Sequence, residues 1–175
     1  MNKIKIRNYQ IFSIIFTFVL GTLLHFTYEL SGQNKIMAIF SAINESTWEH
    51  LKLLYFPMLI TTIIGYFYIG KTTPNFLCSK TVGILIAIAF TIIFFYTYTG
   101  VLGKNIATIN ISSFFIAVIL GESISYLLIV NNFKCNNIIA IVVLIILFIA
   151  FAFFTYYPPN IGIFKDPITG KYGML

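Results

Sequence analysis

The chain has 175 residues, of which 59% are hydrophobic, 18% aromatic and only 9% charged, and its formal net charge is +6. A soluble globular domain carries about 25% charged residues, so the composition excludes one and makes lipid the solvent. The positive charge does not point to nucleic acid either, because the basic residues are scattered singly over loops and helix ends rather than gathered in a stripe with interleaved aromatics.

Lys3, Lys5 and Arg7 precede the first of five apolar segments, which run from about Tyr9 to Leu30, Thr47 to Ile69, Thr81 to Thr99, Asn110 to Val130 and Ile138 to Tyr157. Each has about the 20 residues that a helix needs to cross a hydrocarbon core. The first is too long for a signal peptide and lacks a small-x-small cleavage site, so it reads as a retained span. The apolar runs are continuous rather than alternating, and an open sheet in lipid would leave its edges unpaired. The fold class is therefore all-α, a polytopic membrane helix bundle forming one integral domain over residues 1–175.

Between the first two spans, Ile36, Met37, Ile39, Phe40 and Ile43 recur at helical spacing in a stretch too short to cross. It reads as an interfacial or re-entrant helix. Basic residues set the orientation. Lys3, Lys5, Arg7, Lys71, Lys80 and Lys134 fall on one side, and Lys35, Lys52, Lys104, Lys165 and Lys171 on the other. With the N-terminal cluster dominating, the chain is a multi-pass cell-membrane protein with its N-terminus cytoplasmic and its C-terminus outside. Cys78 and Cys135 then lie in two short cytoplasmic loops, where no disulfide is expected, and no histidine stands near them to make a metal or redox motif.

Four of the five acidic residues and both histidines lie between Glu29 and Glu122. Ionisable groups at membrane depth are costly, so they mark a polar pocket, an ion path or a catalytic centre. The densest run is Asn44-Glu45-Ser46-Thr47-Trp48-Glu49-His50-Leu51-Lys52, entering the second span. Ser46-x-x-Glu49 matches a capping box, which accounts for those two residues and leaves Glu45 and His50 unexplained. Helical spacing places Glu45, Glu49 and Lys52 on one face if the helix extends back to Glu45.

In the first span Thr17, Gly21, His25 and Tyr28 form a stripe, with Glu29 four residues after His25. A histidine and a carboxylate at that spacing can hold a metal ion or share a proton. Glu122 sits near the middle of the fourth span, with Ser125 and Tyr126 one turn on. It is either a pocket residue or a protonated carboxyl bridging helices. Pro57 predicts a kink inside the second span.

The tail after Tyr157, with Pro158-Pro159 and the turn signal Asp166-Pro167-Ile168-Thr169-Gly170, reads as a structured strap across the outer mouth. The chain has no Gly-x-Ser-x-Gly elbow, phosphate-binding glycine loop or His-Glu-x-x-His. With two histidines only, any metal needs carboxylates, and the candidate ligands are His25, Glu49, His50 and Glu122, with Glu29 and Glu45 in reserve.

The run Asn44-Glu45-Ser46-x-Trp48-Glu49-His50-x-Lys52, the exit Tyr98-Thr99-Gly100-Val101-Leu102-Gly103 and the tail Tyr157-Pro158-Pro159 with Asp166-Pro167-x-Thr169-Gly170-x-Tyr172-Gly173 resemble an uncharacterised bacterial family of small multi-span integral membrane proteins. The resemblance covers most of the chain and implies one complete domain without implying an activity.

The leading functional expectation is one outward-facing pocket of His25, Glu29, Glu45, Glu49, His50 and Glu122. Tyr28, Asn44, Ser46, Trp48, Lys52, Ser125 and Tyr126 support it. The pocket would bind a cation or small polar ligand, as a transport or accessory subunit. The alternatives are a membrane-embedded hydrolase using a divalent metal and a purely structural partner subunit. Five spans enclose little volume, which favours a homo-oligomer or membrane partner subunits.

Overall fold

The computed structural model describes residues 3–174. Five helices are long and apolar enough to cross a membrane: α1 Lys3–Leu30, α3 Thr47–Tyr68, α4 Phe76–Leu102, α5 Ala107–Val130 and α6 Asn137–Tyr156. The short α2, Lys35–Phe40, lies between the first two, with Asn34 as its N-cap accepting from the Ile36 and Met37 N–H groups. Short connections make successive spanning helices antiparallel. One face of the bundle carries the start of α1 and the α3–α4 and α5–α6 loops, which we call the cysteine face. The other carries the α1–α3 connection, the α4–α5 loop and the tail, which we call the histidine face.

The helices α1, α4 and α5 are longer than the apolar segments that predict them. Lys3, Lys5 and Arg7 occupy the first turns of α1, and α4 begins at Phe76 rather than near Thr81. At 1.5 Å per residue the 27 residues of α4 reach about 40 Å. Lys80, expected in a loop, is therefore fully buried inside the bundle, as is Lys52 in α3. Both must leave the topology count, which falls from six against five to five against four.

The helices α4 and α5 pack backbone against backbone. A Cβ on Gly121 would lie 2.6 Å from the Gly83 carbonyl oxygen, so only glycine fits where the two backbones touch, as small residues allow in membrane bundles. The Ser125 hydroxyl donates to the Ser79 carbonyl at 3.0 Å one turn away. The main core gathers Leu51, Leu54, Tyr55, Met58, Ile84, Ala87, Val118 and Phe151 between α3, α4, α5 and α6. The α3 helix runs on through Pro57 to Tyr68.

The expectation of free thiols is overturned: Cys78 and Cys135 are joined by a disulfide, with their Cα atoms 6.2 Å apart. Cys78 belongs to the first turn of α4 rather than to a loop. The two loops are drawn together by Asn137, whose side chain accepts from the Cys78 N–H at 3.2 Å and donates to the Pro74 carbonyl at 2.6 Å. The expectation weighed only the compartment, while these polar contacts between loops set the geometry.

The tail is folded, as its turn residues predict. Its last helix stops at Tyr156, two residues before Pro158. Lys165 and Tyr172 form an isolated antiparallel bridge, and the Asp166 carboxylate accepts from the Ile168 N–H at 2.8 Å and the Thr169 hydroxyl at 2.9 Å. Phe164 packs against Trp48 and Phe154, with ring centroids 4.8 and 5.3 Å apart. Gly173, at φ 70°, donates no side chain to a spot already filled by the Pro158 ring, and its carbonyl accepts from Asn44 at 3.0 Å.

Candidate metal centre and two buried ion pairs

The start of α3 arranges the centre. Ser46 caps the helix, its hydroxyl accepting from the Glu49 N–H at 3.4 Å. The Asn44 side chain accepts from the Ser46 N–H at 2.9 Å, a local turn of the kind that Asn forms with backbone two residues on. Glu45 sits at that turn, outside the helix, with its carboxylate turned to the two histidines. His50 lies one turn into α3, and its Nδ1 is 3.0 Å from the Ser46 carbonyl oxygen. A carbonyl only accepts, so Nδ1 carries the hydrogen and Nε2 keeps its lone pair, the usual way a backbone contact fixes a ligating tautomer.

His25 reaches the same place from α1. Its Nε2 is 3.7 Å from one Glu45 oxygen, and His50 Nε2 is 3.4 Å from the other. The two rings stand 5.2 Å apart, and one ligand atom from each of the three residues lies within 4.8 Å of the others. Ligands about 2.0–2.2 Å from a tetrahedral ion are about 3.3 Å from each other. To close on zinc, no pair of these ligand atoms needs to approach by more than about 1.5 Å. Two imidazoles and one carboxylate leave a fourth position for water or another ligand.

That position borders a cavity of about 420 Å³ lined by α1, α3, α4 and α5. His25, Glu45, Thr47, His50 and Asn110 form its polar end, while Leu53, Leu54, Phe95, Phe114 and Phe115, with the hydroxyl residues Thr22, Thr91 and Ser113 between them, line most of the remainder. Gly21 sits at its inner limit, where a Cβ would meet the Leu53 carbonyl oxygen at 2.5 Å and the Phe114 ring at 2.8 Å. The helices close below that point and part above it. Among the described residues, none of the tail lines the cavity. The tail instead braces the centre from behind, through the Asn44 contact and the Phe164 ring on Trp48.

The other predicted ligands are elsewhere. Glu49 precedes His50 by one residue, about 100° around the helix, and points into the bundle. Its carboxylate pairs with Lys52 at 2.5 Å, accepts from the Ile43 N–H at 3.0 Å and lies 3.4 Å from the Thr155 hydroxyl. Lys52 also donates to the Ala38 carbonyl at 2.7 Å and to Thr155 at 3.0 Å. This clamp ties α2, α3 and α6 together and fills the carboxylate's acceptor sites. Glu49 is thus removed from the metal set, and the capping box is half formed, with Ser46 capping and Glu49 turned away.

Glu122 makes a second clamp toward the cysteine face. Its two oxygens are 2.6 and 2.5 Å from the Lys80 ammonium, and the Ser13 hydroxyl is 2.7 Å from one of them. Ser13 is also 2.8 Å from the Thr61 hydroxyl. With its nitrogen toward the carboxylate, the Gln10 amide donates to Glu122 and accepts from the Tyr126 N–H at 3.3 Å. Ser13 and His25 are twelve residues apart on α1, about 18 Å along its axis. The expected single pocket is therefore corrected to one histidine centre and two separate ion pairs.

Glu29 is exposed near the end of α1 and joins none of these groups. Tyr28 is buried and its N–H donates to the Ser41 hydroxyl at 2.9 Å, a packing role. Ser125 bonds the α4 backbone rather than Glu122. Trp48 packs between Phe151 and Phe164. Reasoning from sequence missed Lys80, Gln10, Ser13 and Thr61. The signal for the α1 members was present, since Gln10, Ser13, Thr17 and Gly21 continue the stripe that contains His25.

No curated protein and no solved structure matches the chain. A family match covers residues 1–174, nearly the whole domain that holds the histidine centre and both ion pairs, and by it the chain belongs to the family of unknown function DUF6512.

Proposed function

We propose that this protein is an integral membrane protein that binds a divalent cation of the zinc type through His25, Glu45 and His50 and offers the ion's remaining position to a ligand in the adjoining cavity. The observation that carries the reading is the convergence of three ligand atoms within 4.8 Å, with the His50 ring held by Ser46 so that Nε2 faces the other two. The apolar inner end at Leu53, Leu54 and Phe114 favours binding at a closed site over passage through the bundle.

Elemental analysis of protein purified in mild detergent tests it. About one zinc per chain is expected after zinc loading and dialysis, and His25→Ala or His50→Ala lowers occupancy at least tenfold. Occupancy unchanged in both variants sinks the reading. A second reading, a hydrolase, is favoured by the open fourth position, because a metal at such a site lowers the pKa of bound water and supplies a nucleophile. His25, Glu45 and His50 would then hold the ion while Thr47 borders the reacting group.

We also place the cysteine face in the cytoplasm and the histidine centre outside, on the strength of Lys3, Lys5 and Arg7 in the first turns of α1. The bond between Cys78 and Cys135 is the oxidised form of the pair, and on a cytoplasmic face cellular thiols hold that pair reduced in growing cells. Both thiols are then expected to react with a membrane-permeant maleimide added to intact cells, and oxidation of isolated membranes closes the bond. A bond already closed in growing cells reverses the orientation.

A further inference from the structure

We infer that the cavity takes a single-chain lipid with an anionic oxygen head group, entering sideways from the bilayer between α1 and α5, and this inference rests on the metal reading above. The mouth carries the argument first. Phe26 on α1 and Ile111 on α5 line the cavity, yet they are 56% and 58% exposed. Thr22 and Ala107, on the same two helices, are also both lining and exposed. Thr22 lies eight residues before the end of α1, about 12 Å inward along the helix. The gap between the helices thus opens at the depth of acyl chains as well as at the membrane face. A ligand arriving only from water would not need an apolar side entrance.

The polarity of the lining sets the class of ligand. Its polar end, with His25, Glu45, Thr47 and His50, lies beside the first turn of α3, where head groups sit. From Thr47 to Leu54 the wall runs about 10 Å inward, and Phe95, Phe114 and Phe115 surround the deeper part together with Thr91 and Ser113, whose hydroxyls donate to carbonyls of their own helices and leave the wall mainly apolar. A ligand matched to this wall has one polar end and one chain. The volume, about 420 Å³, is near the lower end of the range of about 300–1,000 Å³ for small-molecule sites, which suits one chain rather than two.

The charge balance sets the head group. A divalent ion held by two neutral imidazoles and one carboxylate keeps a net positive charge, and in a low-dielectric cavity that charge calls for an anion. Zinc accepts oxygen ligands at about 2.0–2.2 Å, so a phosphate or carboxylate head completes the shell. Glu49, the nearest other carboxylate in sequence, is fully engaged with Lys52 and cannot serve.

Native mass spectrometry of the zinc-loaded protein, with hexadecyl phosphate as the probe, tests the inference, because it reads metal and lipid on the same particle. One retained hexadecyl phosphate per zinc-bearing chain is expected. Retention drops at least tenfold after removal of zinc by chelator. Thr22→Trp and Ile111→Trp, which crowd the mouth from exposed positions, leave zinc bound and also lower retention at least tenfold. Inorganic phosphate at equal concentration does not displace the probe. Retention indifferent to zinc or to both tryptophans, or displacement by inorganic phosphate, overturns the lipid assignment while the metal site stands. Absence of zinc from the wild-type chain overturns both.

Discussion

Replacing Lys80 with Met is expected to cost about 3–5 kcal/mol of stability, and Glu122→Leu a similar amount, whereas the two together recover most of the loss. Each single change strands a charge or a carboxyl group among fully buried atoms, at a place where α1, α3, α4 and α5 meet. The double change removes both and leaves apolar groups of comparable length. Replacing a buried ion pair as a unit is often neutral or better, because the pair itself had to be desolvated. Ser13 retains Thr61 as a partner in the double variant. Thermal unfolding in one detergent, read by circular dichroism, ranks the four proteins. A double variant as unstable as the two losses summed would show that the hydrogen bonds of Ser13 and Gln10, rather than charge compensation, hold this part of the bundle.

The bundle was legible because each span is a run of apolar residues whose length matches a bilayer, and Pro158, which cannot continue a helix, marks the end of the last one. Lys80 was not legible as a core residue. A charge ordinarily ends an apolar window, and its partner Glu122 is 42 positions away, so nothing local announces that burial is compensated. Cys78 and Cys135 likewise meet through Asn137 and Pro74, contacts between two loops that no spacing rule records.

At the candidate site the structure divides one expected grouping of residues. Glu45, Glu49 and Lys52 share a helical face only if the helix includes Glu45. The Asn44 and Ser46 side chains start α3 at Thr47 instead, which frees Glu45 to turn toward His25 and His50. One helix boundary thus decides which carboxylate faces the two histidines and which joins the clamp.

That division gives opposite outcomes for the two glutamates. Glu45→Ala is expected to change stability by no more than about 0.5 kcal/mol, as substitutions outside buried networks usually do, and to lower zinc occupancy at least tenfold. Glu45 is half-buried, and its carboxylate faces the two histidines. Glu49→Ala is expected to destabilise by about 3–5 kcal/mol, because it leaves the Lys52 ammonium buried with only the Ala38 carbonyl and Thr155 hydroxyl for partners. Loss of folded protein alone would not separate the roles, so the deciding variant is the double Glu49→Leu with Lys52→Met. It removes the clamp's charges together and is expected to fold with most of the wild-type stability. Elemental analysis of the folded double variant should find about one zinc per chain. If the folded double variant has lost its zinc while His25, Glu45 and His50 remain, the clamp is part of the metal centre. Glu49 then acts either as a ligand or by holding, through the Ile43 N–H, the segment that carries Glu45.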